Sequence, residues 1–130
     1  MTVEQLAITL TADIESITAA RHFVRAALRT LDAQVDADIA ELLTSELTAN
    51  AVALSAGDMA ITVWCRRQRL RVEVQDYGYG RRTVAERATF GQTGGRGLMI
   101  VDGLADAWGI DDLLPGKIVW FELAPEPDPL

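Results

Sequence analysis

Residues 61–74 read ITVWCRRQRLRVEV, and this stretch decides the fold class. Apolar and polar side chains alternate along 61–65 and again along 70–74, with a short polar link between the two runs. Alternation with a period of two is typical of strands that bury one face, and a short polar link joins two such strands into a β-hairpin. The stretch therefore predicts antiparallel strands, with the arginines of the hairpin on its exposed face.

Helical spacing is present on both sides of the hairpin. Apolar residues three and four apart predict a first helix over 14–31, with Asp13 as its N-cap and Ile14 on its buried stripe. The same spacing predicts a second helix over about 36–55, with Leu42 in its apolar face. The remaining predicted elements are a strand ahead of the first helix, a third helix near 98–104, and strands at 108–110 and 117–123.

Antiparallel strands combined with helices predict an α+β fold, a two-layer α/β sandwich. We expect a mixed, mostly antiparallel sheet covered on one face by three helices. Residues 1–124 are predicted to form one domain, and the proline-rich residues 125–130 a short disordered tail. Residues 77–95 lack periodicity and form a long connection for so small a domain, which indicates a functional loop.

The composition argues against several classes of function. The 130 residues include 12 basic and 19 acidic ones, which leaves a net charge of -7 and no positive field to attract nucleic-acid phosphates. One cysteine and one histidine supply neither an internal disulfide nor an ordinary structural zinc site. No signal peptide is apparent, and no apolar run approaches the roughly 20 residues that span a bilayer. We therefore expect a soluble cytoplasmic protein.

Two polar residues border the apolar stripe of the second helix. Glu46 and Asn50 lie four residues apart and therefore on one helix face. A carboxylate or amide buried without a partner costs about 1–3 kcal/mol or more, so both groups need a polar partner. Water or backbone could supply it, and the pair alone does not distinguish that interpretation from a ligand-binding role.

Two glycine-bearing segments lie where predicted elements end or begin. Residues 76–80, DYGYG, follow the second hairpin strand, where they could admit a flat ligand close to the backbone or form an ordinary turn. Residues 94–98, GGRGL, open the third helix, where free N–H groups and the helix dipole attract phosphate and Arg96 could add a charge-assisted contact. Gly116-Lys117 is followed by Ile118, so it is not a Walker-type phosphate loop.

Taken together, the three motif sets occur in the order of the nucleotide-binding boxes of one known superfamily. These sets are Glu46-x-x-x-Asn50, Asp76-x-Gly78-x-Gly80 and Gly95-x-Gly97-Leu98. Over about residues 10–124 the chain resembles the GHKL ATPase superfamily, which has the Bergerat ATP-binding fold. Its stretches at 45–52, 95–98, 107–109 and 117–122 are similar to the anti-sigma factor serine/threonine kinases of actinobacteria.

The resemblance implies a role for each motif residue. Glu46 matches the general base that activates a hydroxyl, Asn50 the Mg²⁺ ligand, and Asp76 the carboxylate that accepts a hydrogen bond from the adenine amino group. Gly78 and Gly80 would line the adenine ring. The phosphates would be contacted by Gly95, Arg96, Gly97 and Leu98, and residues 81–93 would form the ATP lid. The implied cofactors are ATP and Mg²⁺, and ATP is expected to bind in preference to GTP.

Two functions follow from the resemblance. The first is a kinase that sequesters a sigma factor and phosphorylates a serine on a STAS-domain anti-anti-sigma partner. The second is a module of the same fold that binds ATP weakly or not at all and acts only by sequestering a partner. Ala53 and Leu54 favour this second function, because related sequences often carry basic residues at these positions. Tyr79 favours it as well, because its side chain is bulky within a glycine motif. Homodimers are common among relatives, and Phe23 is a candidate for such a surface.

Overall fold

In a computed structural model of the chain, the structure describes residues 4–78, 96–113 and 116–127. The described elements are β1 (Gln5–Thr11), α1 (Ile14–Thr30), α2 (Ala37–Leu54), β2 (Asp58–Arg66), β3 (Arg69–Asp76), α3 (Arg96–Leu104), β4 (Ala107–Asp112) and β5 (Lys117–Leu123). Their order is the predicted one: strand, helix, helix, hairpin, helix and two strands.

In the part of the chain that the structure describes, the sheet has five strands, and β3 lies at its centre. The strand order is β1-β2-β3-β5-β4, and every neighbouring pair is antiparallel. Asp76, the last residue of β3, pairs with Met59 of β2 on one side and with Lys117 of β5 on the other. The predicted α+β sandwich is confirmed, and the end of its central strand lies between the beginnings of two neighbours.

The hairpin turn is tighter than the sequence predicted. Arg67 and Gln68 form it with φ angles of 54° and 66°. Two consecutive residues with positive φ are typical of the type I′ turn, whose twist matches that of the flanking strands. Arg66 and Arg69, predicted to belong to the link, pair with each other instead as the ends of β2 and β3.

The helices lie on one face of the sheet, with the core between the two layers. α1 packs against α2, and α2 also contacts α3, β3 and β5. Alternate residues of β2 and β3 face the helices and are fully buried, and Phe121 of β5 lies among them. Burying one such apolar side chain contributes about 1.5–3 kcal/mol, so this layer contact is the main source of stability. The larger fully buried residues are Val24, Leu43, Thr44, Leu47, Val52, Met59, Ile61, Val63, Leu70, Val72, Val101 and Phe121.

Two apolar residues predicted on buried helix faces are exposed. Leu42 is 41% exposed, because rotation by about 100° per residue places it roughly opposite the centre of the buried stripe of α2. Ile14, 56% exposed, lies about a third of a turn from the buried side of α1 for the same reason. The stripe of α2 includes Thr44 and Thr48, whose hydroxyls donate to carbonyls four residues back at 2.8 Å. These bonds allow both threonines to be buried without an unpaired donor.

Aspartate side chains cap the beginnings of α1 and α2. The Asp13 carboxylate accepts a hydrogen bond from the Ser16 N–H at 3.1 Å, which confirms the predicted cap. The Asp36 carboxylate accepts from the N–H groups of Asp38 and Ile39 at 2.9 and 3.1 Å. Each cap satisfies N–H groups that the helix itself leaves unpaired and stabilises it by about 1 kcal/mol.

None of the helices in the described ranges has the length and apolar character that a membrane span needs.

A cluster of charges joins α1 to the N-terminal half of α2. The Arg25 guanidinium donates to the carboxylates of Glu41 and Asp38, the latter at 2.7 Å. Hydrogen bonds to Asp38 and Glu41 raise the pKa of Arg25 above its ordinary value. Arg21 lies 3.8 Å from the other oxygen of Glu41, so this carboxylate, only 14% exposed, has cationic partners at both oxygens.

Candidate functional site

The residues singled out by the sequence meet at one end of the sandwich. α2 ends at Leu54, and residues 55–57 lead into β2, whose second residue, Met59, pairs with Asp76. The C-terminal half of α2 and the end of β3 therefore lie at the same end of the fold. β4 follows α3 and begins at the other end of the sheet, where Ala107 pairs with Glu122 of β5. Because α3 runs toward that far end, its first residues lie on the Asp76 side.

Glu46 and Asn50 carry polar groups that the described residues leave without partners. Both side chains are half-buried, yet the Oδ1 atom of Asn50 is fully buried and accepts no hydrogen bond from this part of the chain. In the described part of the chain, no hydrogen bond or ion pair engages the Glu46 carboxylate. An unsatisfied buried acceptor costs about 1–3 kcal/mol, and such groups need a specific explanation. The protein backbone does not provide the partner that the sequence argument required for the Asn50 oxygen.

Asp76 is held in place at the end of β3. Its side chain is buried, with the residue only 2% exposed, and its Oδ1 accepts a hydrogen bond from the Gly78 N–H at 3.0 Å. Gly78 has a φ of 74°, in the left-handed region that glycine adopts without a steric penalty. The turn therefore fixes the orientation of the carboxylate, which retains capacity to accept further hydrogen bonds.

In the sequence, Gly116 served only to exclude a Walker-type phosphate loop, and the structure places it against Asp76. It is buried, and its carbonyl accepts a hydrogen bond from the Leu113 N–H at 2.8 Å. A Cβ atom at Gly116 would lie 2.1 Å from the carbonyl oxygen of Asp76 and 2.9 Å from the carbonyl carbon of Tyr77. The cross-strand pairing of Asp76 with the neighbouring Lys117 is the signal that could have indicated this contact, but register is not visible in the sequence.

The third motif set lies only partly within the described residues. Arg96 and Gly97 are the first residues of α3, which is nine residues long. Leu98 is half-buried and packs against the hydrophobic core, so it anchors this end of the helix. The predicted contributions of Gly80 and Gly95, the lid at 81–93 and the bulky Tyr79 lie outside the described residues.

The Asn50 oxygen fits the requirement for one Mg²⁺ ligand. Mg²⁺ prefers oxygen ligands and is commonly held by one or two protein groups, with nucleotide phosphates and water completing its coordination. Within the described ranges, no group of three or more His, Cys, Asp or Glu side chains is placed to hold a metal. A metal here would therefore depend on the Asn50 amide oxygen together with phosphate and water.

The opposite end of the sheet carries a groove of about 820 Å³, lined by the hairpin arginines. Four of its charged side chains pair with one another: Arg71 donates to Glu73 at 2.8 Å and to Glu122 at 3.0 Å, and Arg69 donates to Glu122 at 3.0 Å. The Arg71 guanidinium also lies 4.0 Å from the ring centre of Trp120. Burial alone would raise the pKa of Glu122, but the hydrogen bonds from Arg71 and Arg69 outweigh it and lower the pKa. We place the candidate functional site at the Asp76 end, where the sequence motifs meet and the buried Asn50 Oδ1 accepts no hydrogen bond from the described residues.

Comparison with solved structures supports the fold. The RsbU and RsbW domains of Rv1364c from Mycobacterium tuberculosis superpose on the chain with a TM-score of 0.68 at 20% sequence identity. The match covers 93% of this chain and 32% of that chain, so this chain spans about a third of that protein. At this identity the likeness concerns the fold and not the function. No curated protein matches the chain in sequence.

The sequence model of the histidine kinase-like ATPase domain matches residues 10–123. This match extends over nearly the whole chain and includes all three motif sets. The chain therefore belongs to the histidine kinase-like ATPase (GHKL) family.

Proposed function

We propose that this chain is a Mg·ATP-dependent protein serine kinase of the anti-sigma factor type. It sequesters a sigma factor and phosphorylates a serine on a STAS-domain anti-anti-sigma partner. The buried, unpartnered Oδ1 of Asn50 carries the proposal, because an unsatisfied buried acceptor lowers the stability of the free chain and a ligand that reaches it would supply the missing partner. The resemblance of the motif residues to anti-sigma factor serine kinases supports the choice of partners.

Adenine recognition is assigned to Asp76. Its buried carboxylate is oriented by the Gly78 N–H and keeps acceptor capacity for the exocyclic amino group of adenine. Guanine presents an oxygen acceptor at the equivalent position, so the two acceptors would face each other without a proton between them. A site built around a hydrogen bond rejects a ligand that cannot make it, so ATP should bind more tightly than GTP.

Phosphates are assigned to the space between α2 and the beginning of α3. The Asn50 oxygen can be satisfied by a cation or by a hydrogen-bond donor, and the N–H groups of the first turn of α3 favour an anion. Bound Mg²⁺ would neutralise phosphate charge there, which assists the leaving of ADP. Both requirements are met by a magnesium-bound triphosphate.

Glu46 is assigned as the general base. It would take the proton from the serine hydroxyl as the serine oxygen forms a bond to the γ-phosphorus, and the bond from that phosphorus to the β–γ bridging oxygen breaks. The products are phosphoserine and ADP. In the described residues no hydrogen bond or ion pair engages this carboxylate, so its oxygens are available to accept the serine proton.

A second candidate is the non-catalytic sequestering module. The last turn of α2 has no basic residue, and Ala53 is buried there at 1% exposure. Phosphate contacts from a cation at this turn are therefore missing, which favours weaker nucleotide binding. The two candidates differ in phosphate transfer and agree on partner binding.

Calorimetric titration with Mg·ATP and Mg·GTP tests the nucleotide site first. We expect saturable, magnesium-dependent binding of ATP that Asp76→Asn weakens about tenfold or more, since a hydrogen bond to a charged group contributes about 1.5–3 kcal/mol. Asp58→Asn is the matched control, because Asp58 is exposed at the same end of the sheet. No binding of ATP by the native chain, or equal binding of both nucleotides, would contradict the nucleotide proposal.

Phosphate transfer is tested separately with purified STAS-domain proteins and sigma factors from the same genome, beginning with those encoded beside this chain. Mass spectrometry of the STAS protein after incubation with Mg·ATP should show one phosphorylated serine. Binding of a sigma factor together with ATP binding but no transfer to any STAS protein would favour the sequestering module.

A further inference from the structure

We infer that Gly116 is a positioning residue for nucleotide recognition: the end of the β4–β5 hairpin fixes the backbone of Asp76 and thereby the carboxylate that selects adenine. This inference deepens the proposed function, and the part of it that concerns nucleotide selection rests on that function. The contact between the hairpin and Asp76 is a separate structural statement that can be measured without nucleotide.

The first argument is the closeness of the contact. Real Cβ atoms do not approach other heavy atoms within 3.0 Å, whereas a Cβ at Gly116 would lie 2.1 Å from the Asp76 carbonyl oxygen. It would also lie 2.9 Å from the carbonyl carbons of Asp76 and Tyr77. All three atoms belong to backbone, which cannot rotate away as a flexible side chain can. Any residue other than glycine therefore displaces either Asp76 or the hairpin end.

The second argument concerns why glycine is needed at this position. Among the described glycines, Gly78 has a positive φ and Gly116 does not. Gly116 therefore meets a requirement for space and not for unusual backbone geometry. Alanine tolerates a negative φ, so the effect of Gly116→Ala should arise from the contact with the backbone of Asp76 and Tyr77.

The third argument links the contact to the carboxylate. Asp76 is the last residue of β3, and its Oδ1 accepts a hydrogen bond from the Gly78 N–H at 3.0 Å. Pushing the Asp76 carbonyl shifts the peptide that leads to Gly78, so the turn and the carboxylate should move together. Binding groups tolerate displacements of only about 0.5 Å before recognition suffers.

The chain offers two matched glycine controls. A Cβ at Gly109 would lie 2.7 Å from the Trp120 ring, so Gly109→Ala also forces a clash, but against a side chain on the uncovered face of the sheet. A Cβ at Gly103 in α3 would meet nothing within 4 Å. Gly109→Ala therefore controls for general destabilisation, and Gly103→Ala for the substitution itself.

The experiment compares the native chain with Gly116→Ala, Gly109→Ala and Gly103→Ala. Amide hydrogen exchange of Gly78, measured without nucleotide, should become about tenfold faster in Gly116→Ala only. The affinity for Mg·ATP should fall about tenfold or more in Gly116→Ala, and the ratio of ATP to GTP affinity should fall with it. Gly109→Ala should lower the midpoint of thermal unfolding and leave both the exchange of Gly78 and the nucleotide ratio unchanged.

Equal effects of Gly116→Ala and Gly109→Ala on Gly78 and on nucleotide selectivity would overturn the inference, since both would then reflect lost stability. Should Gly116→Ala not fold, the native chain still provides the test: saturation with Mg·ATP should shift the NMR signals of the Gly116 and Leu113 amides and leave that of Gly109 in place. Unmoved Gly116 and Leu113 signals would overturn it. If the native chain binds no nucleotide, both the proposed function and the claim that Gly116 affects nucleotide selection are wrong. The claim that Gly116 positions Asp76 is then still tested by the exchange rate of the Gly78 amide.

Discussion

The two halves of α2 differ in how their polar side chains are satisfied. In the N-terminal half, the Glu41 carboxylate is bonded by Arg25 and lies near Arg21. In the C-terminal half, the Asn50 Oδ1 is buried without a partner, and Glu46 meets no hydrogen bond or ion pair among the described residues. Both halves belong to one helix packed on one sheet, so neither helix propensity nor burial of the helix as a whole explains the difference.

The difference shows how one helix can serve stability and binding at separate places. A paired carboxylate contributes to folding because its partner is present in the folded chain. An unpaired acceptor costs free energy in the isolated protein and becomes favourable only when a ligand supplies the partner. Substitutions in the two halves should therefore have opposite consequences for stability and for activity.

The largest effect is expected from Glu46→Gln. The rate of phosphate transfer to the STAS-domain partner should fall about 10²–10⁴-fold, because loss of a general base removes a contribution of that size. The affinity for Mg·ATP and the thermal midpoint should stay unchanged, since no described residue depends on this carboxylate. Single-turnover transfer assays with calorimetry on the same protein measure both quantities. A large loss of stability instead would mean that Glu46 resembles Glu41 and would break the comparison.

Asn50→Leu should raise the stability of the chain and weaken its binding of Mg·ATP. Replacing an unsatisfied buried amide by an apolar side chain of similar size should raise the free energy of unfolding by about 1 kcal/mol. The same substitution should weaken Mg·ATP binding about tenfold, because the oxygen ligand is lost. Urea unfolding without nucleotide and calorimetric titration provide the two numbers.

Thr48→Val is the control for Asn50→Leu. The buried Thr48 hydroxyl donates to the Thr44 carbonyl at 2.8 Å, so its removal should leave stability unchanged or lower it. If Asn50→Leu destabilises the chain as well and binding is retained, the unpartnered oxygen has no functional meaning.

Glu41→Gln tests the paired carboxylate in the N-terminal half of α2. Losing one charge of the Arg25 pair should lower the thermal midpoint by about 2–5 °C, with the difference shrinking at high salt. Nucleotide affinity should not change, because Glu41 lies in the half of α2 distant from Asp76. Thermal unfolding at low and high salt measures the first effect, and a parallel loss of ATP binding would show that the two halves are coupled.

The smallest effect concerns Glu122, a paired carboxylate outside α2. Because Arg71 and Arg69 lower its pKa in the folded chain, the unfolded chain takes up a proton first as the pH falls. The stability it contributes is therefore complete above about pH 4.5, its ordinary pKa, and is lost as the pH falls through the folded pKa. Urea unfolding of the native chain and Glu122→Gln should differ by less than about 1 kcal/mol at pH 7 and converge in acid. A difference that grows in acid would contradict this.

Much of the candidate site was identified from local sequence. Glu46, Asn50 and Asp76 were singled out because polar residues bordered apolar patterns, and the Asp13 cap because aspartate precedes a helical stripe. The prediction was wrong at Leu42, where the buried stripe contains Thr44 and Thr48 instead. A hydrophobic pattern identifies a helix but does not determine its rotation when small polar residues can satisfy their hydroxyls on the helix itself.

The sequence by itself determined the order of the elements, the antiparallel hairpin and the motif set that places the chain in the GHKL family. These features depend on periodicity and on residues close together in the chain. Only the tertiary structure decided that the Asn50 oxygen has no partner among the described residues and that Gly116 lies against Asp76. Both depend on which distant atoms come within a few ångströms after strands pair and layers pack, and no pattern along the chain contains that information.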